Sequence, residues 1–291
     1  MKLQDKSRHK KDVFTFSFII LIIVVKYLLG ISFRKIYYFL KKERVMMKNN
    51  IKKLQTEIYK IQCKNWIKNT AKGTSSAGKI LENLLSKEDD NLIIADYYGI
   101  ELKTKLINSE PYISLFSMVP DNRPLIIKEI LDKYGWPSRK DRRYKVFFGK
   151  ITGDKFSKIG LFNEFKLEID RDHQVVWLLV RNIYLGKINK TISWSFEQLE
   201  NRLKMKLSYL AIIPVKKRLY NNEIYYKYHN PKIYKFKDFY TFLELLRTGV
   251  IRINMKISFY TSEEKYGKIQ DKGTAFEIQD KDIEKLFTII S

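Results

Sequence analysis

The sequence predicts an α/β (α+β) protein, a mixed sheet flanked by helices. Two observations carry this. Stretches with apolar residues at helical spacing alternate with short apolar runs bounded by turn residues. From Tyr144 onward the pattern becomes rich in strands (YKVFFGKI, FKLEI, QVVWLLV) without losing its helices.

The elements follow in order. Asn49–Trp66 spaces Ile51, Leu54, Ile58, Ile61 and Trp66 along one helical face between lysines. NTAKGTSS (residues 69–76) is a loop whose Thr74, Ser75 or Ser76 can cap the next helix, Ala77–Leu85. That helix puts Ile80, Leu81, Leu84 and Leu85 on one face and Glu82 beside it. Asn91–Asp96 and Ile100–Lys105 read as strands joined by a Tyr97-Tyr98-Gly99 hairpin turn. Tyr112–Met118 is a strand, PDNRP (residues 120–124) a turn and Leu125–Tyr134 a short helix. Trp194–Leu207 is helical, Tyr209–Val215 a strand and Phe236–Arg247 a helix. The chain ends with the strand RINMKISFY, the loop QDKGT, the strand AFEI and a helix over Asp280–Ile290.

Composition limits the function. Of the 291 residues, 45% are hydrophobic and 30% charged, so the chain buries a real core and is not disordered. Lys, Ile, Asn, Phe and Tyr dominate, a bias that AT-rich coding sequence produces, so part of the lysine excess reflects codon usage. The net charge of +24 nevertheless attracts polyanions, nucleic acid first among them. Residues 1–46 hold 11 Lys+Arg and 3 Asp+Glu, a net +8, which leaves +16 on the body. A single cysteine, Cys63, excludes an intrachain disulfide and a cysteine-rich zinc site. His9, His173 and His229 lie far apart, without metal-binding spacing.

The N-terminal segment 1–46 stands apart from the body, 47–291. Basic residues precede the apolar run Val13–Val25; Lys26 interrupts it, and apolar residues continue to Phe33. Three readings are open. In the first, translation starts at Met46 or Met47 and the upstream stretch is in-frame read-through. In the second, residues 13–33 anchor the protein in a membrane, with Lys26 costing about 2–3 kcal/mol unless it reaches the interface. In the third, which lacks a small-residue cleavage site, they form a secretion signal. The first leaves a cytoplasmic protein, and membrane contact arises only if residues 13–33 belong to the mature chain.

Four residues carry chemistry. Glu82 lies in a helix, Asp96 ends an apolar strand, and Glu101 and Lys103 follow a tight turn. Phosphodiester hydrolysis needs an activated water and neutralisation of the phosphate, and a divalent metal on carboxylates supplies most of this. Mg²⁺ keeps several waters and needs only one or two carboxylates, here Asp96 and Glu101. Residues i and i+2 of a strand share a face, so Lys103 brings its ammonium to the same point. Glu82 serves as a further carboxylate that orients a ligand or a water. The spacing D-x4-E-x-K defines the core of the PD-(D/E)xK nucleases. Taken alone, these residues leave an ordinary hairpin as an equal alternative.

The stretch NWIKNTAKGTSSAGKILENLLSKEDDNLIIADYYGIELKTK resembles the MvaI/BcnI restriction endonuclease family, which is itself similar to the mismatch-repair nickase MutH. The shared features are Trp66-Ile67, the Gly73–Gly78 loop, Leu81–Leu85, Asp96 and Glu101–Lys103, together with Asp271–Ile278 (DKGTAFEI) near the C-terminus. The resemblance covers roughly residues 50–291. It implies a restriction-endonuclease-like core in two lobes that clamp double-stranded DNA, with a catalytic lobe centred on 65–125 and a recognition lobe over roughly 140–280. It also implies a monomer that nicks the two strands in turn, with Mg²⁺ as cofactor.

By this resemblance Asp96 and Glu101 are metal ligands, Lys103 is the catalytic lysine and Glu82 is the helical active-site glutamate. Ala95 replaces a frequent proline, which affects backbone shape only. Lys272 replaces the usual histidine; a lysine can donate to guanine, but the target sequence is left open. Lys272, Thr274 and Arg252 are the candidate DNA readers, with a solvated strand arginine as the plainer reading of Arg252. Trp177 and Trp194 read as core residues rather than stacking platforms. Two other functions compete: a MutH-like repair nickase, and a non-enzymatic membrane or DNA-binding protein whose acidic cluster is structural.

Overall fold

A computed structural model of the chain describes residues 33–73, 75–85, 95–109, 111–121 and 125–290. The chain divides into two compact units, Met1–Leu54 and Gln55–Ser291. All of the apolar segment 13–33 except Phe33, and most of the strand expected over Asn91–Asp96, lie outside the described residues. Among those described, no helix is long and apolar enough to cross a membrane.

In chain order the elements are α1 (Phe33–Cys63), β1 (Ile67–Lys68), α2 (Ser76–Leu84), β2 (Glu101–Leu106), β3 (Tyr112–Ser117), α3 (Ile126–Tyr134), β4 (Trp136–Pro137), β5 (Lys145–Ile151), β6 (Ser157–Ile159), β7 (Asn163–Asp170), β8 (Val175–Asn182), β9 (Ile188–Ser195), α4 (Phe196–Leu207), β10 (Tyr209–Tyr220), β11 (Glu223–Tyr228), β12 (Lys232–Phe236), α5 (Phe239–Arg247), β13 (Ile251–Phe259), β14 (Ile269–Gln279), α6 (Ile283–Leu286) and β15 (Phe287–Ile289).

The strands form three sheets rather than one. The first contains β1, β11, β10, β12 and β15, with β2 also paired to β10. The second runs β3-β14-β13-β5-β4 and the third β6-β7-β8-β9. All pairings are antiparallel except that of β2 with β10, where Glu101–Leu106 lies alongside Leu210–Val215. The registers Val215↔Tyr228 and Ile212↔Lys232 set β11 and β12 end to end along the other edge of β10. The first sheet therefore builds its mixed character around one long strand, with the proposed catalytic strand β2 on its flank.

The main core gathers apolar residues from β3, β5, β7–β10 and β13–β14 with α3–α6. Trp194 lies within it, fully buried, and its indole N–H donates to the Met118 carbonyl at 3.0 Å. Trp177 is half-buried and donates to Asp170.

Several boundaries differ from the expectation for local reasons. Helix α1 stops at Cys63, before Trp66. The amides of Lys64 and Asn65 fold back onto the Ile61 and Gln62 carbonyls, and Asn65 then adopts φ +61°, the left-handed geometry that ends helices. Trp194 belongs to β9, because Ser195 caps α4 by accepting from the Gln198 amide, the Ser-x-x-Gln pattern of a helix start. Phe236 belongs to β12, because Asp238 caps α5 through the Thr241 amide at 2.7 Å. QDKGT is no loop but part of β14. A bulge absorbs one extra residue where Lys272 and Gly273 stand opposite Lys256, and Gly273 takes φ +99°. The C-terminal helix shrinks to α6, after which Phe287–Ile289 extends to pair with β12.

Candidate active site

Helix α2 is seated from below by two tyrosines of β11. Tyr228 donates its hydroxyl to the Ala77 carbonyl at 2.8 Å, and the Tyr226 hydroxyl shares a hydrogen bond with Ser76 Oγ at 2.7 Å, both buried. Burial pushes the Tyr228 phenol well above its ordinary range, so it stays a donor. The helix lies close on β2: a Cβ placed on Gly78 would be 3.5 Å from Thr104 Oγ1 and 3.9 Å from Glu82 Oε1. Glu82 is thereby held at the edge of β2. Tyr228→Phe is expected to cost about 0.5–1.5 kcal/mol, the net worth of one buried hydrogen bond. Chemical denaturation of the variant measures this, and an unchanged midpoint would remove the seating role.

Asp96 and Glu101 face each other through a type I′ turn. Tyr97 and Ile100 exchange both backbone hydrogen bonds at 2.9 Å, with Tyr98 at φ +47° and Gly99 at φ +84°. Asp96 Oδ2 then accepts from the Leu102 amide at 3.0 Å, which locks the aspartate against the start of β2. The Ala95 amide donates to the Met205 carbonyl at 3.3 Å, tying the turn to the end of α4.

Glu101 is fully buried, and apart from lysine ammonium groups no donor among the described residues reaches its carboxylate oxygens. Two lysines approach Oε1, Lys103 at 2.6 Å and Lys206 at 3.5 Å. Burial raises the Glu101 carboxyl above the ordinary glutamate value; Lys103 pulls it back, and the nearby Asp96 charge pushes it up again. The electrostatics thus describe a desolvated carboxylate beside a second carboxylate, partly balanced by ammonium groups.

Glu82 and Lys103 line one cleft of about 460 Å³ together with Lys79, Lys105 and Tyr112. The structure therefore brings Glu82 and Lys103 to one cleft and ties Asp96 to Glu101 across the turn. Among the described residues no three His, Cys, Asp or Glu side chains cluster as a metal cage. A buried carboxylate beside a second one still suits a hard divalent cation that retains its waters.

The three candidate readers are not brought together. Lys272 is exposed and lines a separate cleft of about 410 Å³ with Arg139, Lys140 and Trp136. Thr274 is fully buried, its hydroxyl enclosed without a hydrogen-bond partner. Arg252 is no solvated arginine: it pairs with Glu277 at 2.9 Å, and its guanidinium lies 3.2 Å from the centre of the Tyr112 ring. Glu277 also accepts from Asn254 at 2.8 Å, so this buried network fixes Tyr112, which lines the cleft shared by Glu82 and Lys103.

Sequence reasoning missed Lys206, Tyr112, Tyr226 and Tyr228. Lys206 stands in the last turn of α4, where a cation complements the helix dipole, and nothing local links it to Glu101. The alternation Tyr226, Tyr228 was visible in EIYYKY, but its partner α2 lies 150 residues away.

With this geometry in place, comparison with known proteins is informative. The sequence profile of the MvaI/BcnI restriction endonuclease family matches residues 55–287. The chain belongs to this family. Restriction endonuclease MvaI in complex with its cognate DNA substrate is similar at 28% identity and a TM-score of 0.76, over 81% of this chain and 96% of that one. MvaI in the absence of DNA is similar at 26% identity and a TM-score of 0.53, over 83% of this chain and 96% of the other. No curated protein sequence matches. Membership of this family makes the chain a restriction endonuclease, a DNA hydrolase.

Proposed function

We propose that the chain is a Mg²⁺-dependent, site-specific endonuclease that cleaves double-stranded DNA as a monomer, nicking the strands in turn, with Glu82, Asp96, Glu101 and Lys103 as its catalytic residues. The observation that carries this reading is the buried Glu101 carboxylate joined to Asp96 by a tight turn, with the Lys103 ammonium 2.6 Å away. The relative crystallised with cognate DNA supports duplex DNA as the substrate.

Asp96 and Glu101 would hold the cation. When bound, it supplies Lewis acidity toward a phosphate oxygen and lowers the pKa of a coordinated water. Lys103 contributes a fixed positive charge at the cleft wall, where the phosphate gains negative charge during the reaction. Its ammonium is held by Glu101, so little reorganisation is needed. Glu82, on the opposite wall, orients a water or a proton through a carboxylate whose helix is pinned by Tyr226 and Tyr228. Lys79 and Lys105 line the same cleft and add positive charge along the DNA backbone. Lys272, on its own exposed surface, is proposed to meet a base edge in the major groove.

Purified protein incubated with phage DNA and Mg²⁺ is expected to give discrete bands with no other protein present. A smear would overturn site specificity, and uncut DNA would overturn the reading as a whole.

A further inference from the structure

Strand β10 runs on past the catalytic strand. Lys103 stands level with Ile212 in the parallel register, and β10 continues to Tyr220. Paired residues of neighbouring strands share a face, as do alternate residues along a strand. Pro214, Lys216, Arg218 and Tyr220 therefore project on the same face as Glu101 and Lys103. The antiparallel register adds Lys227 opposite Lys216 and Tyr225 opposite Arg218.

This extension holds its charge in a fixed form. The Arg218 guanidinium lies 4.4 Å from the centre of the Trp66 ring, 5.5 Å from Tyr220 and 5.8 Å from Tyr225. Among the described residues no carboxylate pairs with Lys216, Arg218 or Lys227. Glu223, on the same strand pair, is taken by Lys68 at 2.5 Å and accepts from the Tyr225 hydroxyl at 3.2 Å. Lys216 and Lys227 stand directly opposite each other, an arrangement of like charges that weakens a strand pair. An anion at this face would relieve that repulsion. The aromatic rings here are faced by Arg218 and not free to stack on bases, while the guanidinium fork suits phosphate oxygens.

We propose that Trp66, Lys216, Arg218, Tyr225 and Lys227 form a second DNA contact, one that grips the phosphate backbone of the duplex flanking the cut. The inference rests on the endonuclease reading above. Six residues of strand separate the levels of Lys103 and Arg218, about 20 Å at roughly 3.3 Å per residue. That corresponds to about six base-pair steps at roughly 3.4 Å each, a little over half a helical turn from the cleavage site.

The test uses the full chain. The cut site is first located by digestion of plasmid DNA. Duplexes carrying that site with flanks of about 4 or about 12 base pairs, both designed around the spacing of phosphates, are then bound in Ca²⁺. The wild-type protein is expected to bind the long duplex roughly tenfold more tightly, with a salt dependence steeper by about two charges. In the Lys216→Ala/Arg218→Ala variant the two duplexes should bind alike, while cleavage at saturating DNA keeps its rate. Lys216→Glu should weaken the long duplex further still. Lys216→Ala alone removes a repulsion and should lose part of the flank preference without lowering the melting temperature, and the double variant's melting temperature is measured beside its binding. A variant that keeps the full flank preference overturns the second contact and leaves the endonuclease reading intact. A preference of the patch for single strands overturns the backbone assignment. A wild-type protein that cuts no DNA overturns both readings together.

Discussion

Lys103→Ala is expected to lower the cleavage rate about 10²–10⁴-fold, the range for removing one positioned proton-transfer or charge-stabilising group. Duplex binding should change only a few-fold, because many other cations hold the backbone. The argument rests on geometry. Lys103 lines the cleft with Glu82, and its ammonium is fixed 2.6 Å from Glu101, so it offers its charge without searching for it. Asp96→Asn isolates the other half of the site. An asparagine side chain can still accept the Leu102 amide, so the turn survives while the negative charge is lost. Single-turnover cleavage and binding titrations of both variants decide the matter. If either cuts at the wild-type rate, the catalytic assignment of that residue falls.

Glu101→Gln is expected to do two opposite things: abolish cleavage and stabilise the fold at neutral pH in the absence of divalent metal. The folded protein holds the Glu101 carboxyl above the ordinary glutamate value, with burial as the largest cause. Protonated Glu101 is therefore favoured by folding. Its stabilising contribution is fully present below the unfolded value, near 4.5, and is lost as pH rises through the higher folded value. At pH 8 the wild type carries a buried charge whose desolvation the two lysines only partly balance, and glutamine carries none. The variant should be the more stable protein there and gain nothing near pH 4. Mg²⁺ should restore the wild type at pH 8 and leave the variant unmoved, since a ligand stabilises only the state that binds it. Urea denaturation at both pH values, with and without Mg²⁺, measures all of this. Equal stability of the two proteins at pH 8 would show that the ionised carboxylate is not under strain.

The parts of the site that could be read in the sequence are those whose partners are close along the chain. Glu101 and Lys103 share a face because two residues of strand put them there. Gly99 marks a turn after Tyr97-Tyr98, and the structure gives it φ +84°, whereas the φ of +47° at Tyr98 is one a tyrosine rarely adopts and could not be read. The Asp96 anchor to Leu102 follows from that turn. What could not be read depends on distant pairing. Nothing in ELKTKL says that it runs parallel to LAIIPV more than a hundred residues later. Lys206 reaches Glu101 only because α4 ends beside that pair of strands. The Arg252–Glu277 pair was hidden because an arginine on a strand looks solvated until its cross-strand neighbour is known. The QDKGT stretch carried loop-forming residues, yet a one-residue bulge at Lys272-Gly273 was enough to keep the strand continuous.

The dependence of α2 and β2 on β10 and β11 has a consequence for synthesis. Chain emerges from the ribosome from the N-terminus, so Glu82, Asp96, Glu101 and Lys103 are all made long before Leu210–Val215 and Tyr226–Tyr228, which hold them in place. Until those residues appear, the strand bearing Glu101 and Lys103 has no parallel neighbour and the helix bearing Glu82 has no seat. A chain that stops before Leu210 therefore holds the four proposed catalytic residues without the strands that position them, and it is expected to leave DNA uncut.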